Sequence, residues 1–261
     1  MTLSNKSLSI AVCPSTADQY EQAMKLSRKL SIALLSGETE EYDFLLICSA
    51  QGLALKHTRE YILSPLMVTF TSPAMTYRLK HGGGRRQALA RAVGLKKGWT
   101  PTVIDATAGL GRDGFILAYL GCYVHMLERS PIMASLLENA LQRAEQSEQT
   151  AEIIKKRLRF THTDSIDFLQ KLQQEDYPDV IYLDPMYPER TKSSLVKKEM
   201  RILRGLAGDD HDAAELLNVA LGCARNRVVV KRPRLGPPSL RGVKPSHQIT
   251  GKTSRFDVYL T

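Results

Sequence analysis

The sequence predicts an α/β protein in which a Rossmann-like, mostly parallel sheet follows a smaller α+β region. Three observations carry this prediction. From residue 102 onward, apolar runs of strand length alternate with segments of helical spacing, which is typical of a doubly wound sheet. A glycine-rich turn at residues 109–114 follows the first of these strands. Before residue 80, short strand-like runs follow one another closely, so we predict two domains in this chain of 261 residues, 1–80 and 81–261.

The first domain is predicted to begin with a strand and a helix. Side chains of Ser7–Cys13 alternate between polar and apolar, and Thr16 with Gln19 resembles a capping box for a helix that continues to Leu30. Three more strands are predicted, the first two of them as a hairpin: Asp43–Cys48, Leu53–His57 and Leu66–Phe70. Together these elements indicate a small α+β domain.

The second domain is predicted to begin near the glycine triplet 82–84, which interrupts regular structure ahead of a helical segment at Arg85–Val93. Five strands are predicted: Val103–Asp105, Tyr123–Glu128, Arg159–Thr163, Val180–Asp184 and Arg227–Lys231. Four helices are predicted between them: Gly111–Leu120, Pro131–Ala144, Ser165–Gln174 and Asp212–Ala224. A last run, Phe256–Leu260, has no helix before it, so we expect it to pair antiparallel beside the fifth strand.

The charge is distributed unevenly along the chain, whose net charge is +9. Residues 1–100 hold 13 basic and 7 acidic side chains, residues 101–189 hold 8 and 14, and residues 190–261 hold 15 and 6. The basic flanks suit a polyanion, whose condensed counterions Lys and Arg displace, and the acidic middle suits a cationic or polyol-rich ligand. An ordinary solvated surface is the alternative interpretation.

Several classes of protein are excluded by composition. No apolar run reaches the roughly 18 to 20 residues of a membrane span, and the first apolar run is too short for a signal peptide, so we expect a cytoplasmic protein without membrane contact. The four cysteines are far apart in sequence and lack the spacing of a zinc site or a disulfide scaffold: Cys13, Cys48, Cys122 and Cys223. We therefore expect buried thiols and no metal.

The glycine-rich turn is compatible with two kinds of cofactor. Gly109, Gly111 and Gly114 fit a dinucleotide fingerprint, in which glycines allow a tight turn and a close approach of backbone to ligand. Asp105 and Asp113, however, would repel an anionic pyrophosphate, whereas S-adenosylmethionine brings an ammonium and a sulfonium. Charge matching therefore favours S-adenosylmethionine over a nicotinamide dinucleotide.

Acidic residues also end the next two predicted strands. Glu128 lies 23 positions after Asp105, about the interval expected for an acid that accepts the ribose hydroxyls. Asp164 could accept the adenine amino group, and Ser165 could cap the following helix. Taken singly, Asp164 could equally be a plain helix cap, and Asp113 could merely favour a helix N-terminus.

The segment after the fourth strand, YLDPMYP at 182–188, indicates transfer to an amine. An exocyclic amine is a poor nucleophile because its lone pair is delocalised, so it must be held with its hydrogens on acceptors and its lone pair toward the methyl carbon. Asp184 and a backbone carbonyl near Pro185 supply acceptors, and Tyr187 could stack on a base. A proline-rich turn with a buried tyrosine is the alternative.

These motifs resemble the class I S-adenosylmethionine-dependent methyltransferases that act on exocyclic amines, although Met186 stands where the common motif has a second proline. A closer resemblance is to the J-type family of small-subunit ribosomal RNA guanine-N2 methyltransferases. It rests on these strings, in this order: HGGGR (81–85), DATAGLGRDGF (105–115), LER (127–129), YLDPMYP (182–188), LVKKEMR (195–201) and VVVKRP (228–233).

The resemblance implies a cytoplasmic enzyme with a class I methyltransferase sheet that methylates one guanine in 16S ribosomal RNA, with the RNA or the small subunit as partner. Spacing by itself does not identify that target or the oligomeric state. Carried over residue by residue, the family's cofactor contacts fall on Arg112 and Asp113, Glu128 and Arg129, Asp164 and Ser165, and Asp184.

Two basic segments are candidates for contact with RNA phosphates. They are Lys197, Lys198 and Arg201 on a predicted amphipathic helix, and Lys231 and Arg232 after the fifth strand. A DNA or protein N-methyltransferase would share every motif, and a non-catalytic RNA-binding module would share the basic flanks, so these alternatives stay open.

Overall fold

The structure is a computed structural model that describes residues 8–60, 64–185, 212–235, 243–252 and 254–261. Four predicted site residues lie outside these ranges, namely Tyr187, Lys197, Lys198 and Arg201.

The N-terminal part forms a five-stranded sheet in the order β2-β1-β3-β4-β5. The strands are β1 (Ile10–Pro14), β2 (Ala33–Leu34), β3 (Phe44–Ser49), β4 (Gly52–His57) and β5 (Leu66–Met67), and the helices are α1 (Tyr20–Leu30) and α2 (Pro73–His81). Strand β1 runs parallel to β2 and β3, while β3 and β4 form the predicted antiparallel hairpin, with Ser49 opposite Gly52. The mixed α+β character predicted for this region is confirmed.

The predicted capping box at the start of α1 is wrong. Residues Ala17–Gln19 wind as a 3₁₀ turn, so the α-helix begins only at Tyr20, and the Thr16 side chain makes no capping hydrogen bond. Helix α2 was not predicted, although its N-terminus carries a recognisable signal: Ser72 accepts from the Met75 backbone N–H, and Pro73 occupies the first turn.

The remaining chain forms a seven-stranded sheet in the order β11-β12-β10-β9-β6-β7-β8. Its strands are β6 (Thr102–Asp105), β7 (Tyr123–Glu128), β8 (Leu158–His162), β9 (Val180–Leu183), β10 (Arg227–Pro233), β11 (His247–Thr250) and β12 (Ser254–Leu260). The helices are α3 (Ala88–Ala92), α4 (Arg112–Tyr119), α5 (Pro131–Glu145), α6 (Ala151–Arg157), α7 (Ser165–Gln170) and α8 (Ala213–Cys223).

The topology agrees with the sequence-based prediction. Strands β8, β7, β6, β9 and β10 are parallel, and β12 pairs antiparallel with β10, as expected for the last strand. Strand β11 and helix α6 were not predicted. The sheet reverses its order between β6 and β9, and in such folds ligands bind at the carboxyl ends of the strands beside this switch point.

Alternate residues of the sheet face two different apolar cores. Val103 and Val124 face α4 and α5, whereas Ile104 and Leu127 face α7 and α8. The first core continues into the N-terminal sheet, because α5 contacts both β4 and β7. The division into two domains stays a prediction, since one apolar core extends across the boundary.

The four cysteines are free thiols and all are buried, as predicted. Burial raises the pKa of Cys48 and of Cys122 to about 11. Within the described ranges, no helix combines the length and apolar character needed to cross a membrane.

Candidate active site

A cavity that is open to solvent lies at the carboxyl ends of β6, β7 and β9. Seven of the predicted site residues line it: Gly109, Glu128, Arg129, Asp164, Ser165, Asp184 and Pro185. Because the carboxyl ends of parallel strands meet at one edge, the fold brings together residues that are up to 76 positions apart in sequence. The remaining lining residues include Thr107, Asp212, and apolar side chains from α8.

Glu128 is fixed by backbone hydrogen bonds at the end of β7. Its Oε2 accepts from the Gly109 N–H at 2.8 Å and its Oε1 from the Ser130 N–H at 2.7 Å. Gly109 has a φ of +53°, a backbone conformation that favours glycine, and this turn aims its N–H at the carboxylate. A carboxylate offers about four acceptor sites, so these two backbone N–H groups do not saturate Glu128 by themselves.

Asp164 caps helix α7 in place of Ser165, which was predicted as the cap. Asp164 is the helix cap, since its Oδ1 accepts from the N–H groups of Ile166 and Asp167. The Ser165 hydroxyl instead donates to the Ala106 carbonyl at 2.6 Å, which ties α7 to the chain just after β6. The prediction that Ser165 caps this helix is therefore wrong, yet both residues line the cavity.

Asp184 follows β9 and is held from two sides. Its backbone N–H donates to Thr107 Oγ1 at 2.6 Å, and its Oδ2 accepts from Lys231 Nζ at 2.7 Å. The Asp184 side chain is 39% exposed, so it can meet a ligand from solvent. Thr107 thus connects the glycine-rich turn to the segment that carries Asp184.

Asp113 does not line the cavity but belongs to a buried ionic cluster beneath it. Its carboxylate accepts from Lys231 Nζ at 2.7 Å, Arg78 at 2.9 Å and the Tyr182 hydroxyl at 2.8 Å. Burial alone would raise the pKa of Asp113, but the charges of Lys231 and Arg78 outweigh it and hold the pKa well below its usual range. The two carboxylates in contact with Lys231 also raise its pKa, so this amine stays charged.

Asp105 is buried as well and does not line the cavity. Burial, with the charge of Asp113 adding to it, raises the pKa of Asp105 to about 8. Asp105 is therefore largely protonated at neutral pH, and Asp113 is neutralised by two cations. Contrary to the prediction, Asp105 and Asp113 therefore do not present negative charge to a cofactor. The acids that line the cavity are Glu128, Asp164, Asp184 and Asp212.

The two remaining predicted cofactor-binding residues of the glycine-rich turn, Gly111 and Arg112, also do not line the cavity. Gly111 has a φ of +69°, a backbone conformation that favours glycine, and a Cβ there would lie 2.6 Å from Leu137 Cδ1. Arg112 is exposed in the first turn of α4.

The structure also contradicts the prediction that Lys231 and Arg232 hold RNA phosphates. Lys231 points inward between Asp113 and Asp184, and Arg232, which faces the other side of β10, is 3% exposed beside Asp257. Arg232 is buried, and the partly exposed Lys231 amine already pairs with two carboxylates, so neither is placed to hold a surface phosphate. Consecutive strand residues face opposite sides, so a pair of adjacent cations cannot form one binding surface on a strand.

Sequence reasoning missed three residues that shape the site. Asp212 forms an ion pair with Arg129, Thr107 anchors Asp184, and Arg78 pairs with Asp113. The only local signals were the position of Asp212 before a helix and of Thr107 in the glycine-rich turn. Arg78 had none, because its partner lies 35 positions away.

Comparison with known proteins identifies the family. Residues 25–261 match the family model described as "Putative SAM-dependent methyltransferase". The chain belongs to this family. S-adenosylmethionine is therefore its methyl donor, and the cavity fits that donor, because a carboxylate fixed at the end of the second parallel strand and a glycine with positive φ lie at one rim.

Relatives within the methyltransferase family cover nearly the whole chain. The ribosomal RNA small subunit methyltransferase J of Nitrosococcus oceani is 51% identical over 94% of this chain and 95% of its own. The protein of the same name from Coxiella burnetii is 47% identical over 96% of both chains. A crystal structure of a SAM-dependent methyltransferase from Neisseria gonorrhoeae superposes with a TM-score of 0.74 at 36% identity, over 96% of this chain and 95% of that one.

Proposed function

We propose that this protein transfers the methyl group of S-adenosylmethionine to the N2 amine of a guanine in 16S ribosomal RNA. The observation that carries the proposal is that Asp184 and Pro185 line the same cavity as Gly109 and Glu128. Groups suited to hold an amine and groups suited to hold the methyl donor therefore share one space. The names of the relatives from Nitrosococcus and Coxiella support a ribosomal RNA substrate.

The donor side of the cavity is formed by carboxylates on successive strands. Glu128 would accept the two ribose hydroxyls, and Asp164 would accept the adenine amino group while it continues to cap α7. When bound, S-adenosylmethionine supplies a methyl group on a positively charged sulfur. Arg129 stays at the rim through its ion pair with Asp212.

The acceptor side is formed by the segment after β9. The Asp184 carboxylate would accept one hydrogen of the guanine amine, and a backbone carbonyl near Pro185 the other, so that the nitrogen lone pair faces the methyl carbon. Lys231 Nζ donates to Oδ2 of the Asp184 carboxylate, and a carboxylate offers about four acceptor sites in all. Tyr187, outside the described residues, is proposed to stack on the base.

The proton is released late in this scheme. As the nitrogen takes the methyl group, the bond from carbon to sulfur breaks and its electron pair stays on sulfur. The nitrogen then carries a positive charge and loses one proton, which the Asp184 carboxylate or water accepts. No strong base is needed before attack, so a carboxylate is sufficient.

The test is a methyl-transfer assay with labelled S-adenosylmethionine on small ribosomal subunits that lack the modification. Nuclease digestion and mass spectrometry of the nucleosides should then find the label in N2-methylguanosine. Binding of S-adenosylmethionine without label on either subunits or naked ribosomal RNA would overturn the proposed substrate. DNA, transfer RNA and protein would then be assayed in the same way.

A further inference from the structure

One stretch of the chain contains basic side chains but no acidic ones. From Tyr61 to Ile104 the sequence has no Asp or Glu, yet it holds seven Lys and Arg residues. All seven are exposed: Arg78, Lys80, Arg85, Arg86, Arg91, Lys96 and Lys97. We call this set the acid-free strip. None of its members was assigned a role by the motifs of the glycine-rich turn or the Asp184 segment.

The acid-free strip differs from the other surface cations in its partners. Lys25, Lys29 and Lys156 each form an ion pair with a glutamate. Within the strip, Arg78 pairs with Asp113, and no described acidic side chain pairs with the other six. The six cations without a described acidic partner add no described ion pair to the fold, whereas a polyanion could bind them and release counterions.

Two members of the strip lie at opposite ends of helix α4. Arg78 contacts Asp113 in the first turn of α4, and Arg85 lies beside Gly121, just past the end of that helix. Eight residues of helix span about 12 Å. At the active-site end, ion pairs of 2.9, 2.7 and 2.7 Å connect Arg78 through Asp113 and Lys231 to Asp184.

An aromatic pair lies among these cations. Tyr77 is 67% exposed, and its ring packs against His81 one helical turn later, with centroids 4.6 Å apart. Exposed rings among cations are typical of surfaces that bind unpaired RNA, because bases stack on the rings while Lys and Arg hold the phosphates. We propose that the acid-free strip, with Tyr77 and His81, binds the substrate RNA next to its target base. This inference rests on the proposed function.

The position of the strip gives it a defined task. The RNA backbone would run along α4 while the target nucleotide turns into the cavity toward Asp184. Methylation inside a pocket requires such an extruded base, and contacts to its neighbours hold the strand during the extrusion. The strip would therefore set RNA affinity, and Asp184 would set the rate of transfer.

Paired variants test the strip. One variant combines Lys80→Ala, Arg85→Ala and Arg86→Ala, and its control combines Lys25→Ala, Lys29→Ala and Lys156→Ala, which removes the same charge from cations that have glutamate partners. Binding of an unmodified 16S ribosomal RNA transcript is measured at several salt concentrations. We expect the strip variant to lose about tenfold or more in affinity at low salt. The slope of the logarithm of its binding constant against the logarithm of salt concentration should decrease in magnitude by about 2, as three lost phosphate contacts predict.

The control triple variant should bind within twofold of wild type, and both variants should bind S-adenosylmethionine normally. Tyr77→Ala should weaken RNA binding about fivefold or more, whereas Tyr123→Ala, which changes an equally exposed tyrosine outside the strip, should not. Equal losses in the strip and control variants would overturn the inference, as would wild-type binding by the strip variant.

RNA binding distinguishes this inference from the proposed reaction. If wild type binds the transcript through the strip but methylates no guanine, the strip survives and the proposed reaction fails. If guanine is methylated while the strip variant keeps wild-type affinity and KM for RNA, the reaction survives and the strip fails. If wild type binds no ribosomal RNA, both are overturned.

Discussion

Two adjacent residues of β10 enter two different ionic clusters. Lys231 contacts Asp113 and Asp184 on one side of the strand, with side-chain exposures of 24%, 10% and 39% for the three residues. Arg232 faces the opposite side, where Asp257 is fully buried and also accepts hydrogen bonds from Arg255 and Gln248. The first cluster opens toward the cavity at Asp184, whereas the charged side chains of the second are all buried.

The difference in exposure separates a functional cluster from a structural one. A closed cluster can only stabilise or destabilise the fold, since no ligand reaches it. An open one exchanges solvent for ligand, so its charges can orient a substrate. In the first cluster, Asp113 keeps Lys231 paired when Asp184 is changed, so turnover is the quantity that should fall. In the second cluster, loss of Asp257 leaves two buried arginines without their shared carboxylate, so the free energy of unfolding should fall.

The largest effect is expected for Asp184→Asn. The amide loses the negative charge that holds Lys231 and the guanine amine, so turnover should fall by at least about 10²-fold. Binding of RNA and S-adenosylmethionine should remain near wild type. Single-turnover methyl transfer measures this, and Asp167→Asn, an exposed acid on α7, is the matched control. Near-normal turnover in Asp184→Asn would remove this carboxylate from its proposed role.

Asp257→Asn should have the largest effect on stability. It leaves Arg232 and Arg255 buried without their anionic partner, which typically costs about 3–5 kcal/mol. Urea denaturation measures the loss in the free energy of unfolding. Turnover per folded molecule should stay unchanged, and a specific loss of turnover at full stability would contradict the division between the two clusters.

The pH dependence of stability should reveal the raised pKa of Asp105, which lies near Asp113 in the first cluster. Its pKa of about 8 exceeds the ordinary value near 4, so between these values the folded protein holds a proton that the unfolded chain has released. Stability should therefore fall with rising pH in this window, by at most about 1.4 kcal/mol per pH unit.

Asp105→Asn should remove the part of the pH dependence of stability that comes from this carboxyl group. The free energy of unfolding is measured at pH 5 and at pH 8 for wild type and variant. Between these two pH values it should fall less in the variant than in wild type. Asp113 does not interfere, since its lowered pKa places its titration below this window. An identical pH dependence in both proteins would show that Asp105 is ionised in the folded state.

The smallest effect is expected for Lys231→Met. Asp184 would lose one of its anchors but keep its backbone contact with Thr107, so we expect kcat to fall about tenfold, or about 1.4 kcal/mol, with KM for RNA little changed. Loss of this cation should also raise the pKa of Asp113 and move the acidic limb of the pH profile. Lys231→Arg should restore most of the rate. Arg232→Met should instead lower the free energy of unfolding. Loss of turnover in Arg232→Met, with loss of stability alone in Lys231→Met, would contradict the assignment of Lys231 to turnover and Arg232 to stability.

Local patterns were sufficient for most of the fold. Strand β7 and the start of α5 agree with the sequence-based boundaries, because alternation and a Ser-Pro helix start are encoded within a few residues. Strand β2, of two residues, and β11, largely polar, carry too weak a pattern to be predicted. Their pairing depends on neighbours that are distant in sequence.

The candidate site also contains residues that the local sequence predicts and contacts that it does not. Residues at strand ends, such as Glu128 and Asp184, were predictable, since parallel strands bring their carboxyl ends to one edge. The partners of Asp113 were not, because Lys231 lies 118 positions away and Arg78 lies 35 positions away. Without those partners, a strand-end acid and a buried ionic cluster have the same local sequence.

The sequence by itself determined the parallel sheet, the glycine-rich turn, the order of the acidic strand ends and the family resemblance, because each depends on residue types that lie a few positions apart. The tertiary structure decided which acids reach the cavity, and that Lys231 serves the site while Arg232 serves the core. The physical reason is that period-2 alternation says only that neighbouring side chains oppose each other. What each one meets depends on charges brought together by folding.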